Sequence, residues 1–484
     1  MAAPEPPPGR GRVRDVFLRL LGVIFLAAFL SLLVQVRLLF GRDGLLPAAA
    51  YLDAVRAHGV LAVPTLFWLD ASDRALVGLG IAGAILSFGL ILNVAPRWCL
   101  LALWALYLSF VSVGQDFLSF QWDNLLLEAA FFTLFVTPGG LRPRRAPPPH
   151  PIGVFLMLWL VFRMNFESGA AKLLTGDPTW RDLSAMETYY ETAPLPTWVG
   201  WYAHQLPAWA QRLSAAYTLL VELVLTPLVW GPRRVRRVVF VAMAAMQATI
   251  LLTANYGFFN YLSVALALFI LDDRDLDCLA ARLGRPLRPS PPRVPSRVRT
   301  VLLAAVAAIL VPLSVIPFLP LLGVRALGPA HRAIDTVRTL NAYHLFAHMT
   351  LVRKEVVIEG SADGETWEPY EFRFKPGDPM RPPPFAAPHQ PRVDFQLWFL
   401  LLGGPPRALY FHRLLERLLT APAVVAPLFV RDPFPETPPG LLRVAFYRYR
   451  FTDVATRRAT GAWWSRELLG YSRPLAAGDV RGRP

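Results

Sequence analysis

Apolar residues run through the first two thirds of the chain in blocks too long and too continuous for the narrow stripe of a soluble amphipathic helix. Leu20 to Val36, Ala75 to Asn93 and Trp98 to Val113 each suffice to cross about 30 Å of hydrocarbon. Weaker or closely spaced runs follow at Leu125 to Thr137, Pro151 to Met164, Ser214 to Trp230, Val238 to Ala254, Gly257 to Leu271 and Thr300 to Leu322. The pattern predicts an α-helical multi-pass membrane domain of about nine spans over residues 16–322, after a disordered tail at 1–15. The fourth and fifth runs are only half a span long. The first run is longer than a signal-peptide core and leads into Arg37 and Phe40, not into a small-residue cleavage site, so it is expected to stay as an anchor.

Beyond residue 322 the period changes. Val356 to Ser361, a turn at Asp363-Gly364, Trp367 and the alternating Tyr370-Glu371-Phe372-Arg373-Phe374 read as a hairpin. Leu442 to Phe451 alternates in the same way, Arg407 to Leu419 has helical spacing, and the prolines from Pro376 to Pro391 predict an irregular crossing strap. Residues 323–484 are therefore expected to form a separate soluble domain, β-rich or α+β.

Composition agrees with a membrane protein: of 484 residues 54% are hydrophobic and 17% charged. The net charge of +15 is not a nucleic-acid signature, because it follows the topology. With the N-terminus inside, segments 1–19, Arg97, 141–150, 231–237 and 272–299 hold 19 Arg against 6 acids, whereas the loops 41–74, 114–124 and 165–213 hold 6 basic and 11 acidic residues. The N-terminus is then cytoplasmic and the C-terminal domain extracytoplasmic, in the periplasm of a bacterium or the ER lumen of a eukaryote. Lysine occurs only at 172, 354 and 375; the arginine bias suggests a GC-rich bacterial genome and hence an inner membrane. Cys99 and Cys278 lack CxxC spacing, and the histidines, His204, His344, His348 and His389 among them, lack metal-ligand spacing.

Polar groups inside or at the mouth of a membrane are costly and therefore informative. Glu128, Arg163, Glu222 and Gln247 lie within spans, and the simplest reading pairs the acids with the arginine between helices. On the outer side the motifs containing Gln115, Asp116, Trp122, Asp123, Trp180, Arg181, His204, Asn255 and Asn260 face the same compartment as the tail and could form one binding site beneath it. Lys172, in Glu167-Ser168-Gly169-Ala170-Ala171-Lys172, is the sole lysine of the membrane half. Partly desolvated, it would be a base or nucleophile; the alternative is a lysine that snorkels or pairs with Glu167. No HExxH, GxSxG or Walker motif is present, and no inverted repeat suggests a transporter.

Taken in order, Gly114 to Asp123, Ser168-Gly169 with Lys172, Gly176 to Asp182, Tyr189 to Pro196, Trp201 to His204, Asn255 to Asn260, Ile358 to Ser361, Lys375 to Asp378, Ala387 to Arg392 and Tyr447 to Phe451 resemble the lipase maturation factor family over nearly the full length. The resemblance implies a multi-pass protein that helps secreted homodimeric lipases fold and assemble, with no catalytic residue and no cofactor; in a bacterium, a periplasmic maturation role. Its partners would be membrane lipid and a secreted client, with Trp398, Trp463 and Trp464 as contact groups on the tail. Ser168 to Lys172 followed by Trp180 also resembles the vitamin K-dependent carboxylase-like membrane family, over about a quarter of the chain. That resemblance implies a membrane enzyme using a lipid or quinone-like cofactor, with Lys172 as base and Glu128, Asp116 or Asp123 as partners. The hairpin at Ile358 to Trp367 resembles one hairpin of discoidin-type β-sandwich modules.

Overall fold

The computed structural model describes residues 9–143, 146–282, 296–324, 327–402 and 408–480. In chain order the membrane half contains α1 (Gly11–Leu33), α2 (Asp73–Ile91), α3 (Pro96–Val113), α4 (Gln121–Thr133), α5 (Pro151–Leu174), α6 (Ala208–Trp230), α7 (Arg233–Thr253), α8 (Phe259–Ile270) and α9 (Arg297–Leu322). All nine predicted runs are helical. Among the described residues seven of the nine are long and apolar enough to cross a membrane, and α4 and α8 are the short ones. The fifth run, half a span by sequence, is a 24-residue helix, because the polar residues after Met164 are buried in the bundle and the helix continues through them. Of the N-terminal segment, residues 1–8 lie outside the described residues, and α1 has begun by Gly11.

Close backbone approach sets the first pair of helices. The Phe17, Leu21, Phe25 and Phe29 side chains of α1 are buried, and α2 meets that helix with Gly80, Gly83, Ala84 and Ser87. A Cβ on Gly83 would overlap the Phe29 ring, one on Gly80 would lie 2.7 Å from Leu33, and one on Gly22 would lie 2.8 Å from Ile91. This small-residue stripe is how helices in lipid gain packing contacts when hydrophobic exclusion cannot drive them together.

The two ends of the bundle differ in chemistry. At one end Arg10 donates to the Leu271 carbonyl, Arg236 pairs with Asp272 at 2.9 Å, Arg237 pairs with Asp275 at 2.5 Å, and Arg14 holds the Pro147 carbonyl. At the other end sits the tail. Its main sheet has the order β2 (Glu368–Pro369), β1 (Arg353–Ser361), β5 (Leu441–Phe451), β6 (Trp464–Tyr471), all antiparallel, and β7 (Leu475–Ala476) continues the β6 side of β5. β3 (Glu371–Phe372) and β4 (Phe429–Arg431) form a second, two-stranded sheet. The 442–451 strand is present, but the predicted hairpin closes only through Glu368–Pro369 on β1; its expected second arm, Tyr370 to Phe374, turns away, and Glu371–Phe372 pairs with β4 in the second sheet. The predicted helix at 407–419 is observed as Leu409–Thr420, with one apolar face buried, residue 407 lying outside the described residues. The tail is α+β.

Substituting Gly83 by Val should force α1 and α2 apart. We expect a loss of about 1–3 kcal/mol, the usual cost of overpacking, read as a lower melting temperature in detergent. An unchanged melting temperature would show that the Phe29 ring simply moves aside.

Candidate functional site

Arg163, Glu167 and Lys172 of α5 recur at about one-turn intervals and meet one segment of the tail. Arg163 donates through Nη1 to Glu128 Oε1 on α4 at 2.7 Å and through Nε to Glu167 at 2.9 Å, and its Nη2 donates to the Asn341 carbonyl. Glu128 and Glu167 in turn accept from the tail: Asn341 N–H (2.9 Å), Asn341 Nδ2 (2.8 Å) and Tyr343 O–H (2.8 Å) donate to Glu128, and Tyr343 N–H (3.0 Å) donates to Glu167. One turn further, the Lys172 ammonium donates to Glu222 of α6 at 2.9 Å, to the Leu345 carbonyl at 2.9 Å and to the Ser168 carbonyl at 3.4 Å, and it lies 5.1 Å from the Trp180 ring centroid. Thr175 then donates to the Ala347 carbonyl, Trp180 Nε1 to the Phe346 carbonyl, and Asp177 accepts the Met349 N–H. Residues 341–349 thus lie along the end of α5 like an extra strand whose backbone partners are helix side chains.

Local sequence explains the geometry. Arg163 and Glu167 are four apart and share a helix face, whereas Glu167 and Lys172 are five apart and do not. Lys172 therefore pairs with Glu222, not with Glu167. Glu222 is carried inward by a π-helical turn at Leu220–Leu225, and Gly169 permits the approach, since a Cβ there would lie 2.8 Å from that of Glu222.

A second anchor joins α4 to the strap. Arg392 grips Asp123 with both nitrogens, at 2.6 and 2.8 Å, and donates to the Phe117 carbonyl, while Tyr107 O–H donates to Asp123. The proline-rich strap crosses as expected. Ser31 O–H bonds His389 Nδ1 and accepts the Gln390 N–H, Gln35 brackets Gln390 and Arg392, and Asn255 receives the Ala386 and Ala387 N–H groups while donating to the Pro384 carbonyl. Gly257, at φ +56°, leaves room for Gln390, which a Cβ would approach at 2.8 Å. A third anchor lies at the sheet. Arg353 donates to the carbonyls of Glu191, Ala193 and Pro194 and pairs with Glu355, and Thr452 of the tail receives Trp201 Nε1 and, on its carbonyl, Gln205.

The outer motifs do gather beneath the tail, but the tail fills the space between them. Trp122, Trp180, Trp464, Asn255 and Asn260 are buried: Trp122 packs on Phe120 and Phe395, Trp464 on Phe451, and Asn260 donates to Gln247. His204 is half-buried beside Glu191, and burial lowers its pKa below the usual value against the pull of that carboxylate. Gln115 is half-buried, Asp116 and Arg181 are exposed, and Trp463 packs under Arg457. Trp398 lines a surface cavity of about 360 Å³ with Leu351, Val352, Lys354, Leu402 and Arg448. The four residues of the enzyme reading are not brought together. Lys172, Glu128 and Asp123 are each enclosed by their own partners, and Asp116 is on the surface. Sequence reasoning missed Asn341, Tyr343, Arg353 and the Ser31 and Gln35 contacts. Arg392 and the strap partners His389 and Gln390 did lie within a motif of the sequence, Ala387 to Arg392.

Replacing Lys172 by Met leaves Glu222 buried without its cation, so a large drop in stability in detergent, of about 3–5 kcal/mol, is expected. Lys172→Met/Glu222→Met removes both charges and should recover most of it. A double variant no more stable than the single one would mean that Lys172 does more than pair. The strap is expected to respond to acid. Burial, with a smaller push from Arg392, lowers the His389 pKa from 6.5 to about 4, so the folded chain resists a proton that the unfolded chain accepts. His389 therefore costs nothing above 6.5, and stability falls as pH drops from there towards about 4. His389→Asn should flatten that part of a melting-temperature profile.

The comparisons with known proteins bear on the whole arrangement. The model of the lipase maturation factor transmembrane domain matches residues 12–278, and that of the lipase maturation factor C-terminal domain matches residues 339–474. The chicken (Gallus gallus) lipase maturation factor 2 is 34% identical, covering 98% of this chain and 82% of the relative. Lipase maturation factor 1 of cattle (Bos taurus) and of human (Homo sapiens) are each 32% identical, covering 99% of this chain and 94% and 93% of the relative. No solved structure matches. With both domain models matched in order and relatives aligned across nearly the whole chain, the protein belongs to the lipase maturation factor family.

Proposed function

We propose that this integral membrane protein is a maturation factor whose tail-side face, extracytoplasmic by the charge pattern, holds a secreted client while it folds and assembles. By the names of its relatives the client is a lipase. The membrane is that of the ER in a eukaryote, or the inner membrane in a bacterium. The observation that carries the reading is the fusion of tail and spans by buried ionic anchors, which makes a rigid platform instead of a tethered domain. The residues with chemical potential are spent in holding that platform. Lys172 has its donors on two carbonyls and a carboxylate, so it is neither free nor positioned as a base, and nothing favours the enzyme reading or its lipid or quinone-like cofactor.

For the contact surface we favour the cavity beside Trp398. Leu351 is 55% exposed and Leu402 49% exposed, with Lys354 and Arg448 on the rim, an apolar floor with a cationic edge. Trp180 and Trp464, each at most 2% exposed, cannot present themselves to a client without undoing the tail. Leu351→Glu with Trp398→Ala in the full chain, co-expressed with a secreted lipase, should lower active lipase in the medium severalfold while leaving the amount of membrane protein unchanged. Unaltered lipase secretion would rule out this surface. Full secretion from cells lacking the whole protein would rule out the function.

A further inference from the structure

At the end of the bundle opposite the tail a cavity of about 580 Å³ opens between the starts of α1, α3 and α9 and residues 136–143 and 146–149. Among the described residues four arginines line it, Arg14, Arg97, Arg142 and Arg299, and no acidic residue does. Their roles differ. Arg14 is buried and structural: it holds the Pro147 and Ala146 carbonyls and pairs with Asp15. Arg97 spends one nitrogen on the Thr137 carbonyl. Among the described residues Arg142 and Arg299 have neither an ion-pair partner nor a side-chain hydrogen bond. Arg233, Arg236 and Arg237 at this end are matched by Asp272 and Asp275, and others that lack an ion pair among the described residues, such as Arg234 and Arg282, do not line the cavity. Here unmatched cations converge on a concave wall.

The surroundings of the cavity are apolar. Trp98, next to Arg97, is 70% exposed, and Val301 and Leu302, one turn inside Arg299, are 66% and 61% exposed, on helices long enough to face lipid. A ligand fitting both features carries a phosphate for the guanidinium groups, which bind phosphate oxygens in pairs, and acyl chains for the apolar side. We propose that this cavity binds the phosphate headgroup of an anionic phospholipid, with Arg97, Arg142 and Arg299 as its ligands. A soluble phosphate compound shares the headgroup chemistry and lacks the chains. The site does not depend on the maturation reading: it concerns the opposite end of the bundle and is measured without a client.

The test uses the full chain in phosphatidylcholine nanodiscs doped with phosphatidic acid, with bound lipid read by native mass spectrometry. Arg142→Gln/Arg299→Gln removes the two arginines without hydrogen bonds, and Arg234→Gln/Arg282→Gln removes equal charge away from the cavity. We expect phosphatidic acid to be retained by the wild type and the second variant and to fall roughly tenfold or more in the first, since each arginine contributes a comparable electrostatic share. Equal loss in both variants would reduce the cavity to diffuse surface charge and overturn the proposal, as would no retention by the wild type. A parallel titration with inositol hexakisphosphate in pure phosphatidylcholine nanodiscs distinguishes the source. Tight binding there, lost in the first variant, with phosphatidic acid not retained, would overturn the lipid and assign the cavity to a soluble phosphate.

Discussion

Everything at the tail side of this molecule depends on satisfying an irregular backbone laid among helices. Residues 341–349 form neither helix nor strand, and unpaired N–H and C=O groups in such a place cost several kcal/mol each in an apolar setting. The partners come from α5 and its neighbours: Arg163, Lys172, Thr175 and Trp180 donate to carbonyls, and Glu128, Glu167 and Asp177 accept from N–H groups. Viewed from α5 alone, a buried arginine and a buried lysine are extravagant. Viewed from the segment, they supply the donors that reach the Asn341 and Leu345 carbonyls from the side of α5. The cost of burying the charges and the cost of burying the backbone offset each other only when both are present.

That dependence couples the two halves in folding. Three carboxylates (Glu128, Glu167 and Glu222) face two cations (Arg163 and Lys172), and the excess negative charge is met by Asn341 and Tyr343, which belong to the tail. Without the tail the cluster is both unbalanced and open, so the membrane half is not a self-sufficient unit. Arg392 on Asp123 and Arg353 on the 191–194 carbonyls repeat the logic at two other points of the tail. Three well-separated anchors hold the sheet against the spans, so the tail-side face is ordered in the free protein. For the proposed client, a face of that kind would lower the ordering entropy lost on binding.

Much of this was legible in the chain, for stated reasons. Helical runs were visible because lipid-facing and core-facing positions are both apolar, and the first strand and turn of the tail because Asp363-Gly364 is specific; the partner strand was misplaced, since alternation at 370–374 does not say which strand it meets. The pairing of Glu128 with Arg163 followed from charges too costly to leave alone. The length of α5 was not legible, since Arg163, Asn165, Glu167 and Ser168 read as the end of a span when solvent is assumed and as its continuation when protein surrounds them. Nor was the role of Trp180 or Trp464. An aromatic residue near a span end looks the same whether it anchors to an interface, greets a client or packs beneath a domain, and only the chain that covers it decides. Asn341 and Tyr343 carry no local signal, because their partners lie some 170 to 215 residues away in sequence.

The short helices close the argument about depth. α4 has 13 residues, or about 20 Å of rise, and cannot by itself cross about 30 Å of hydrocarbon. Yet its first turn carries Asp123, paired with the tail, and the Thr137 carbonyl just beyond its end is held by Arg97 at the basic end. α8 behaves alike, with Tyr256 before it bonded to Tyr189 under the tail and the carbonyl of its last residue, Ile270, held by Arg236. Both helices are mostly buried, with Tyr261 of α8 exposed, so protein more than lipid sets their span. If the surrounding full-length helices mark the membrane, then the ends of α4 and α8 lie below its surface, and the tail segment that meets them dips into that depth. Non-helical chain is tolerated there only when protein surrounds it and every polar group is answered, which is the condition that the side chains of α5 fulfil.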